Sequence, residues 1–456
     1  MKISKGTAKN IVLYSIANYL HTGVNAVANI FVSNILGPVN NGIISYYNAI
    51  TTNINHVVFG TFRSAVEREV PQIKDYEEKR FYAQQAFAAS FICSLICSSV
   101  FLFIGLFTPD KIMKYCSFFV AVLTLVTCIS DFYRVWVKSL NRIPQVSVIM
   151  IIVSLLIPVF SILFSSWFGL DGFWIGRIIL QGISLLCFCI ASKELFTIVH
   201  IEKSFLKRIF VSGGEIILFS LFSTGITTMD RFFVKGTLGL EILGYYAIGA
   251  MICTMLMLVP SSITGAVYPK FVGMVGHDLK EQVRKYSTYI DVVCIIVSYL
   301  VFICIPFLIE WIMPSYVPSI PIVKVLLVAF VAHASTQLRY MDMIRNKKMK
   351  VLIVYSGIAF ALGILSFIVI SLKYDSIIPF AWGTNICFLF LAFGVNMSWK
   401  KMYNEDKRLF SSSLFITICP FLVLTPLLVL KNPVTGYLIS SFVFIIVYGL
   451  RLKIKI

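Results

Sequence analysis

The sequence predicts an all-α polytopic membrane protein, and three observations carry that expectation. Of its 456 residues 58% are hydrophobic and only 13% are charged, against about 25% charged in an ordinary soluble domain. Apolar runs of about 20 residues, each long enough to cross a hydrocarbon core of about 30 Å, recur from end to end. No segment shows the roughly ten-residue alternation of a transmembrane barrel strand.

Taken in order, about fourteen transmembrane helices are expected. They lie near 11–35, 41–63, 82–107, 114–137, 146–166, 169–191, 211–234, 241–266, 287–309, 318–340, 350–371, 376–398, 412–430 and 434–451. The loops between them alternate in charge. Every second loop is basic: Arg63, Arg68, Lys74 and Lys79; then Arg134, Lys138 and Arg142; then Lys193, Lys203 and Lys207; and so on to Lys400, Lys401, Lys407 and Arg408. The positive-inside rule assigns those loops, with the N- and C-termini, to the cytoplasm. The opposite loops are short, such as 36–40 and 108–113, and leave no room for an extramembrane domain. The basic start, with Lys2, Lys5 and Lys9, precedes an apolar run too long for a signal peptide, so it reads as an uncleaved first helix. Trp167, Trp174 and Trp311 near outer ends, and Trp136 and Trp399 near inner ends, are expected to form an aromatic belt.

The net charge of +18 is therefore topological, and no basic domain stands apart to hold nucleic acid. The eleven Cys fall mostly inside apolar runs and contain no C-x-x-C, so they are read as small buried residues. The five His lack metal-ligand spacing, so neither a metal nor a cofactor is expected. No H-E-x-x-H, no G-x-x-x-x-G-K-[ST] and no serine-hydrolase arrangement is present. No catalytic residue is assigned, and the chain reads as a non-enzyme whose transport would draw on an ion gradient, the membrane potential or a downstream sink.

One stretch echoes another. Gly37 and Gly42, followed by Tyr46-Tyr47, recur as Gly239 and Gly244, followed by Tyr245-Tyr246. Six spans separate the two hairpins, an even number, so the halves should be parallel repeats about an axis along the membrane normal.

Charged and amide side chains inside spans mark candidate pathways, because each costs a few kcal/mol at mid-membrane. Arg177 and Lys324 lie deepest, and Asp230-Arg231 end a polar stripe through Thr224 and Thr227. Asn18, His21, Asn25 and Asn29 share one face of span one, while Asn48, Thr52, Asn55 and His56 form a stripe on span two. Such faces turn away from lipid, toward other helices or a cavity. Arg177, Arg231, Lys324, Asn25, Asn29, Thr224 and Thr227 are the candidate substrate contacts. Asp230, Glu215 and Asp131 are candidate ion-coupling groups.

The glycine hairpin with Tyr46-Tyr47, the Arg68-Glu69-Val70-Pro71 segment after span two, and Asp230-Arg231-Phe232 leading into Gly239 and Gly244-Tyr245-Tyr246 resemble the polysaccharide-exporter branch of the MOP flippase superfamily. The nearest likeness is to the Wzx-type O-antigen and capsule repeat-unit flippases. The resemblance implies two pseudo-symmetric six-helix lobes, 1–200 and 201–405, around a central cavity, and two C-terminal helices in 406–456. It implies rocking between inward- and outward-open states in a bacterial inner membrane. The cargo it implies is an undecaprenyl-pyrophosphate-linked oligosaccharide, with membrane lipids and other polysaccharide-assembly proteins as partners. Two other functions stay open. A MATE-like multidrug or cation antiporter would want an acidic, aromatic cavity, whereas deep bases outnumber deep acids here. A membrane-embedded polysaccharide polymerase or ligase would want a large periplasmic loop.

Overall fold

The computed structural model describes residues 5–271, 274, 276–405, 409–430 and 432–453; Lys2, Lys407 and Arg408 of the cytoplasmic basic set lie outside them. Every regular element among the described residues is helical. In order these are α1 (Lys5–Asn53), α2 (Gly60–Glu69), α3 (Tyr76–Phe107), α4 (Lys111–Ser139), α5 (Ile143–Pro158), α6 (Phe164–Ser192), α7 (Lys203–Leu256) and α8 (Leu258–Phe271). They continue with α9 (Gly276–Ile312), α10 (Ile320–Ala334), α11 (Gln337–Arg345), α12 (Met349–Lys373), α13 (Ile378–Met402), α14 (Leu409–Val429) and α15 (Pro433–Lys453). Two π-helical turns, Ile54–Phe59 and Val159–Leu163, join α1 to α2 and α5 to α6. The chain divides into two compact units, Met1–Thr224 and Gly225–Ile456.

Among the described residues, ten helical stretches are long and apolar enough to cross a membrane, with Val434–Gly449 a shorter apolar helix. Ten separate stretches are found where about fourteen spans were expected, and three of the ten reverse direction without a break in helical bonding. In the first, His21 and Asn55 line one small cavity, yet a straight helix would hold them about 50 Å apart. The reversal falls at Gly37, whose φ of 75° suits a residue without Cβ. In α7, the Tyr246 hydroxyl donates to Asp230 Oδ2 at 2.7 Å, where a straight helix would separate the two residues by about 24 Å. That reversal is at Gly239, φ 86°. The third lies at Gly169. There a Cβ on Gly172 would collide with the Phe164 carbonyl, and one on Gly176 with the Phe160 carbonyl. Phe164 and Gly172, like Phe160 and Gly176, are placed evenly about residue 168. The two antiparallel arms thus touch backbone to backbone across a small-x-x-x-small seam.

Three positive-φ positions of the first unit recur in the same order in the second, while Gly169 and Gly276 have no counterpart. Gly37 is matched by Gly239. The left-handed Asn141 after α4 is matched by Lys347 after α11, and Lys193 after α6 by Asn404 after α13. The paired tyrosines also carry the echo. Tyr47 and Tyr246 are both buried. The Tyr47 hydroxyl donates to the Met113 carbonyl at 2.8 Å, and the Tyr246 hydroxyl reaches Asp230 and Thr384. They follow their turns by ten and seven residues, a difference of about one helical turn, and so occupy the same face.

Helix ends follow local rules. Asp75 caps α3 by accepting from Glu78 N at 3.0 Å, and Asp110 caps α4 by accepting from Ile112 N and Met113 N. Phe87, Phe132, Tyr133 and Trp136 form a buried aromatic cluster in the first unit. Phe196, beyond α6, packs into it, and its N–H donates to the Tyr133 hydroxyl at 3.0 Å. The aromatic belt is smaller than expected. Trp167 and Trp311 are exposed, but Trp136, Trp174 and Trp399 are fully buried core residues. Proximity to a span end does not decide which way a side chain points.

Candidate functional site

A polar cavity of about 190 Å³ lies inside the first unit. Helical spacing explains how the sequence builds it. His21 and Asn25 come from the first arm of α1, and Asn48, Thr51 and Asn55 from its return. Thr124 and Thr127 come from α4, and Arg177 and Gln181 from α6. Each set is spaced by three or four residues, so each helix contributes one stripe. Both π-helical turns also contribute, through Asn55 and Ser161. The first π turn closes with the Gly60 N–H donating to the Asn55 carbonyl, and Arg63 Nη2 donates to the same carbonyl at 2.6 Å.

Arg177 is the only charged residue in the lining, which holds no carboxylate. Its guanidinium sits over the Phe173 ring, 5.1 Å from the centroid, and forms no salt bridge among the described residues. A cation held this way is stabilised by the ring face and leaves its forked donors for a guest. His21 Nδ1 is 3.0 Å from Ser154 Oγ, which holds the ring on the α5 side of the cavity. The remaining polar lining is amide and hydroxyl, able to donate to and accept from a polar guest without adding charge.

The other sequence candidates fall elsewhere. Asn29 is absent from the lining. Asp131 lies outside the lining and bridges two arginines: Arg63 binds one oxygen, and Arg134 the other at 3.0 Å. Glu215 is exposed, Thr224 half-buried and Thr227 exposed. In the second unit Asp230 is buried. It accepts from Tyr246 at 2.7 Å and from Thr384 at 3.3 Å, and from the Arg231 backbone N–H at 2.8 Å. The acid and base adjacent in sequence are thus not joined by their side chains. Lys324 is half-buried over the Phe302 ring at 5.9 Å, with no salt bridge among the described residues.

The structure therefore gathers Arg177 and Asn25 into one cavity, and the remaining candidates are not among its lining residues. The candidate list omitted Gln181, Thr124, Thr127 and Thr51. Gln181 is one turn after Arg177, and that spacing was the available signal. On the return arm the stripe runs 48, 51, 55 rather than through Thr52, and His56 is exposed.

Comparison with solved structures places the fold. The lipid II flippase MurJ in an inward closed conformation matches with a TM-score of 0.63 at 17% identity, over 97% of this chain and 98% of that one. The eukaryotic MATE transporter AtDTX14 matches at 0.57 and 16% identity, over 89% and 98%. A MOP superfamily transporter from Pyrococcus furiosus, described as having a binding pocket of reverse polarity, matches at 0.51 and 13%, over 91% and 99%. At these identities the likeness is one of fold. The protein is a multi-pass helical membrane protein with the MOP-superfamily transporter fold. Residues 7–275 match the family model for polysaccharide biosynthesis proteins, and the chain belongs to that family. No curated protein sequence matches it.

Proposed function

We propose that the protein is a lipid-linked oligosaccharide flippase. It moves undecaprenyl-pyrophosphate-linked O-antigen or capsule repeat units from the cytoplasmic to the periplasmic leaflet of a bacterial inner membrane by alternating access. Both termini are cytoplasmic in this reading, and the lobes 1–200 and 201–405 are the moving bodies. The observation that carries it is Arg177, a cation with no carboxylate partner among the described residues, in a cavity whose other polar lining is His21 with amides and hydroxyls. A diphosphate head group supplies the missing charge and matches the planar fork of a guanidinium. The sugar hydroxyls match the amide and hydroxyl stripes. Membership of a polysaccharide biosynthesis family and a fold shared with a lipid II flippase support the same cargo class. Arg231, Lys324, Thr224, Thr227 and Asn29 are assigned to later parts of the cargo's path. Asp230, Asp131 and Glu215 are the groups assigned to ion coupling. A cation antiporter is disfavoured because its cargo would meet an unpaired base and no acid in this cavity.

The test is Arg177→Ala beside Arg177→Lys in cells whose surface glycan depends on the protein. Losing a charge-assisted contact to the cargo should lower export by about ten- to a hundredfold in the Ala variant, with protein levels in the membrane unchanged. The Lys variant, which keeps charge without the fork, should fall between. Full surface glycan from Arg177→Ala overturns the proposal.

A further inference from the structure

A second hollow lies on the other side of the helix that carries His21 and Asn25. It is a groove of about 500 Å³ between α1 and the end of α5, and its walls are almost wholly apolar. Leu20, Gly23, Val27 and Phe31 line it from α1, and Pro158 and Ile162 from the chain around the second π turn. The two faces of α1 keep the same rhythm. Polar residues stand at 18, 21, 25 and 29 and groove residues at 20, 23, 27 and 31. A two-residue offset is about 200° around the helix. One wall of side chains separates groove from cavity: Val24, Ala28 and Ile162 face the groove and pack on Val153, Ile157 and Leu180, which face the cavity. The π turn serves both sides, with Ser161 toward the cavity and Ile162 toward the groove.

We propose that this groove binds the hydrocarbon chain of the molecule whose anionic head group occupies the Arg177 cavity. The chain then leaves the first unit along the α1–α5 seam. This rests on the reading of the cavity as a head-group site, and it adds where the tail goes. The occupant follows from the arrangement. A polar cavity without acids, backed by an apolar groove across a single layer of side chains, fits one amphiphile with an anionic head. Gly23 keeps the groove open, since a Cβ there would meet nothing within 4 Å. The groove has room for a few isoprene units, so it would grip the part of the chain nearest the diphosphate and leave the rest in the bilayer. Because lipid is already apolar, the gain is close packing rather than escape from water, which makes position the informative readout.

The experiment uses the full-length protein in liposomes with two photoprobes. One is a polyprenyl diphosphate–linked sugar carrying a diazirine in its first isoprene units. The other is phosphatidylglycerol with a diazirine in its acyl chain. Cross-linked peptides are mapped by mass spectrometry. The expected result is polyprenyl labelling concentrated on the 20–31 and 158–162 segments, well above lipid-facing α3 positions such as Leu102 and Leu106. Arg177→Ala should reduce that labelling. Gly23→Trp, which fills the groove, should reduce it by about tenfold, the scale of a steric overpacking penalty. Gly23→Trp should still bind inorganic pyrophosphate as wild type does. Arg177-dependent binding with label spread evenly over the lipid-facing helices overturns the groove and leaves the cavity reading standing. Groove labelling indifferent to Arg177, or matched by phosphatidylglycerol, overturns the link to the head group and makes the groove an ordinary lipid site.

Discussion

Asp131 should be the most costly single charge to remove from the first unit. Its carboxylate lies between Arg63 and Arg134. Arg63 is only 13% exposed, Asp131 19% and Arg134 34%. Replacing Asp131 with Ala leaves Arg63 mostly buried, with the Asn55 carbonyl as its one remaining hydrogen-bond partner among the described residues. Breaking a buried pair from one side costs about 3–5 kcal/mol, because the surviving charge remains desolvated. Arg134 stands a third open to its surroundings, and its own loss, with Asp131 still held by Arg63, should cost about 1 kcal/mol or less after solvent screening. For a unit of this size the Asp131→Ala penalty lowers Tm by roughly 10 °C. The protein reports its own unfolding through buried free thiols such as Cys116 and Cys128, which a thiol-reactive dye detects as they become accessible. A double variant, Asp131→Asn with Arg63→Gln, should recover part of the loss, since it leaves a smaller uncompensated charge. Equal destabilisation by Arg134→Ala and Asp131→Ala, or a neutral Asp131→Ala, would refute the argument that Arg63 is the arginine that depends on this carboxylate.

Further outcomes follow from packing and hydrogen bonding. Gly172→Val and Gly176→Val each push a side chain into a facing carbonyl and should destabilise by at least about 1–3 kcal/mol, whereas Gly182→Ala, where a Cβ meets nothing within 4 Å, should be tolerated; thermal melts separate them. Tyr246→Phe removes the donor at 2.7 Å from Asp230 and should cost about 1–3 kcal/mol, while the equivalent Tyr47→Phe, which removes a donor to the Met113 carbonyl, should lie at the low end of that range. Gly37→Ala should cost about 1–3 kcal/mol, because its φ of 75° with ψ of 173° lies in a region essentially reserved for glycine, and the same holds for Gly239→Ala; unchanged melting in both would remove the argument that these glycines set the reversals.

Sequence and structure divide the explanation along a physical line. Hydropathy over about 20 residues is a property of a segment, so the all-helical membrane class was legible from composition and run length alone. The glycine echo was also legible, because the reversals inside α1 and α7 each need a residue at positive φ, which glycine supplies at Gly37 and Gly239. The polar stripes of α1 follow from helical periodicity, and Arg177 follows from its depth in a span.

Orientation was not legible. Trp136, Trp174 and Trp399 sit near span ends yet point inward, and Asn25 reaches the cavity while Asn29, one turn on, does not. A period of 3.6 residues fixes which side chains share a face but not which neighbour that face meets. Partner choice was hidden for the same reason. Asp230 and Arg231 are adjacent in the chain, yet Asp230 is held by Tyr246 and Thr384, far away in sequence. The sequence by itself determined the membrane class, the repeat and the helical faces, because those depend on local chemistry and spacing. Only the tertiary structure decided which faces enclose the cavity, that Asp131 is shared by two arginines, and that an apolar groove backs the polar site. Those depend on which helices pack together, and long-range packing carries no local signature.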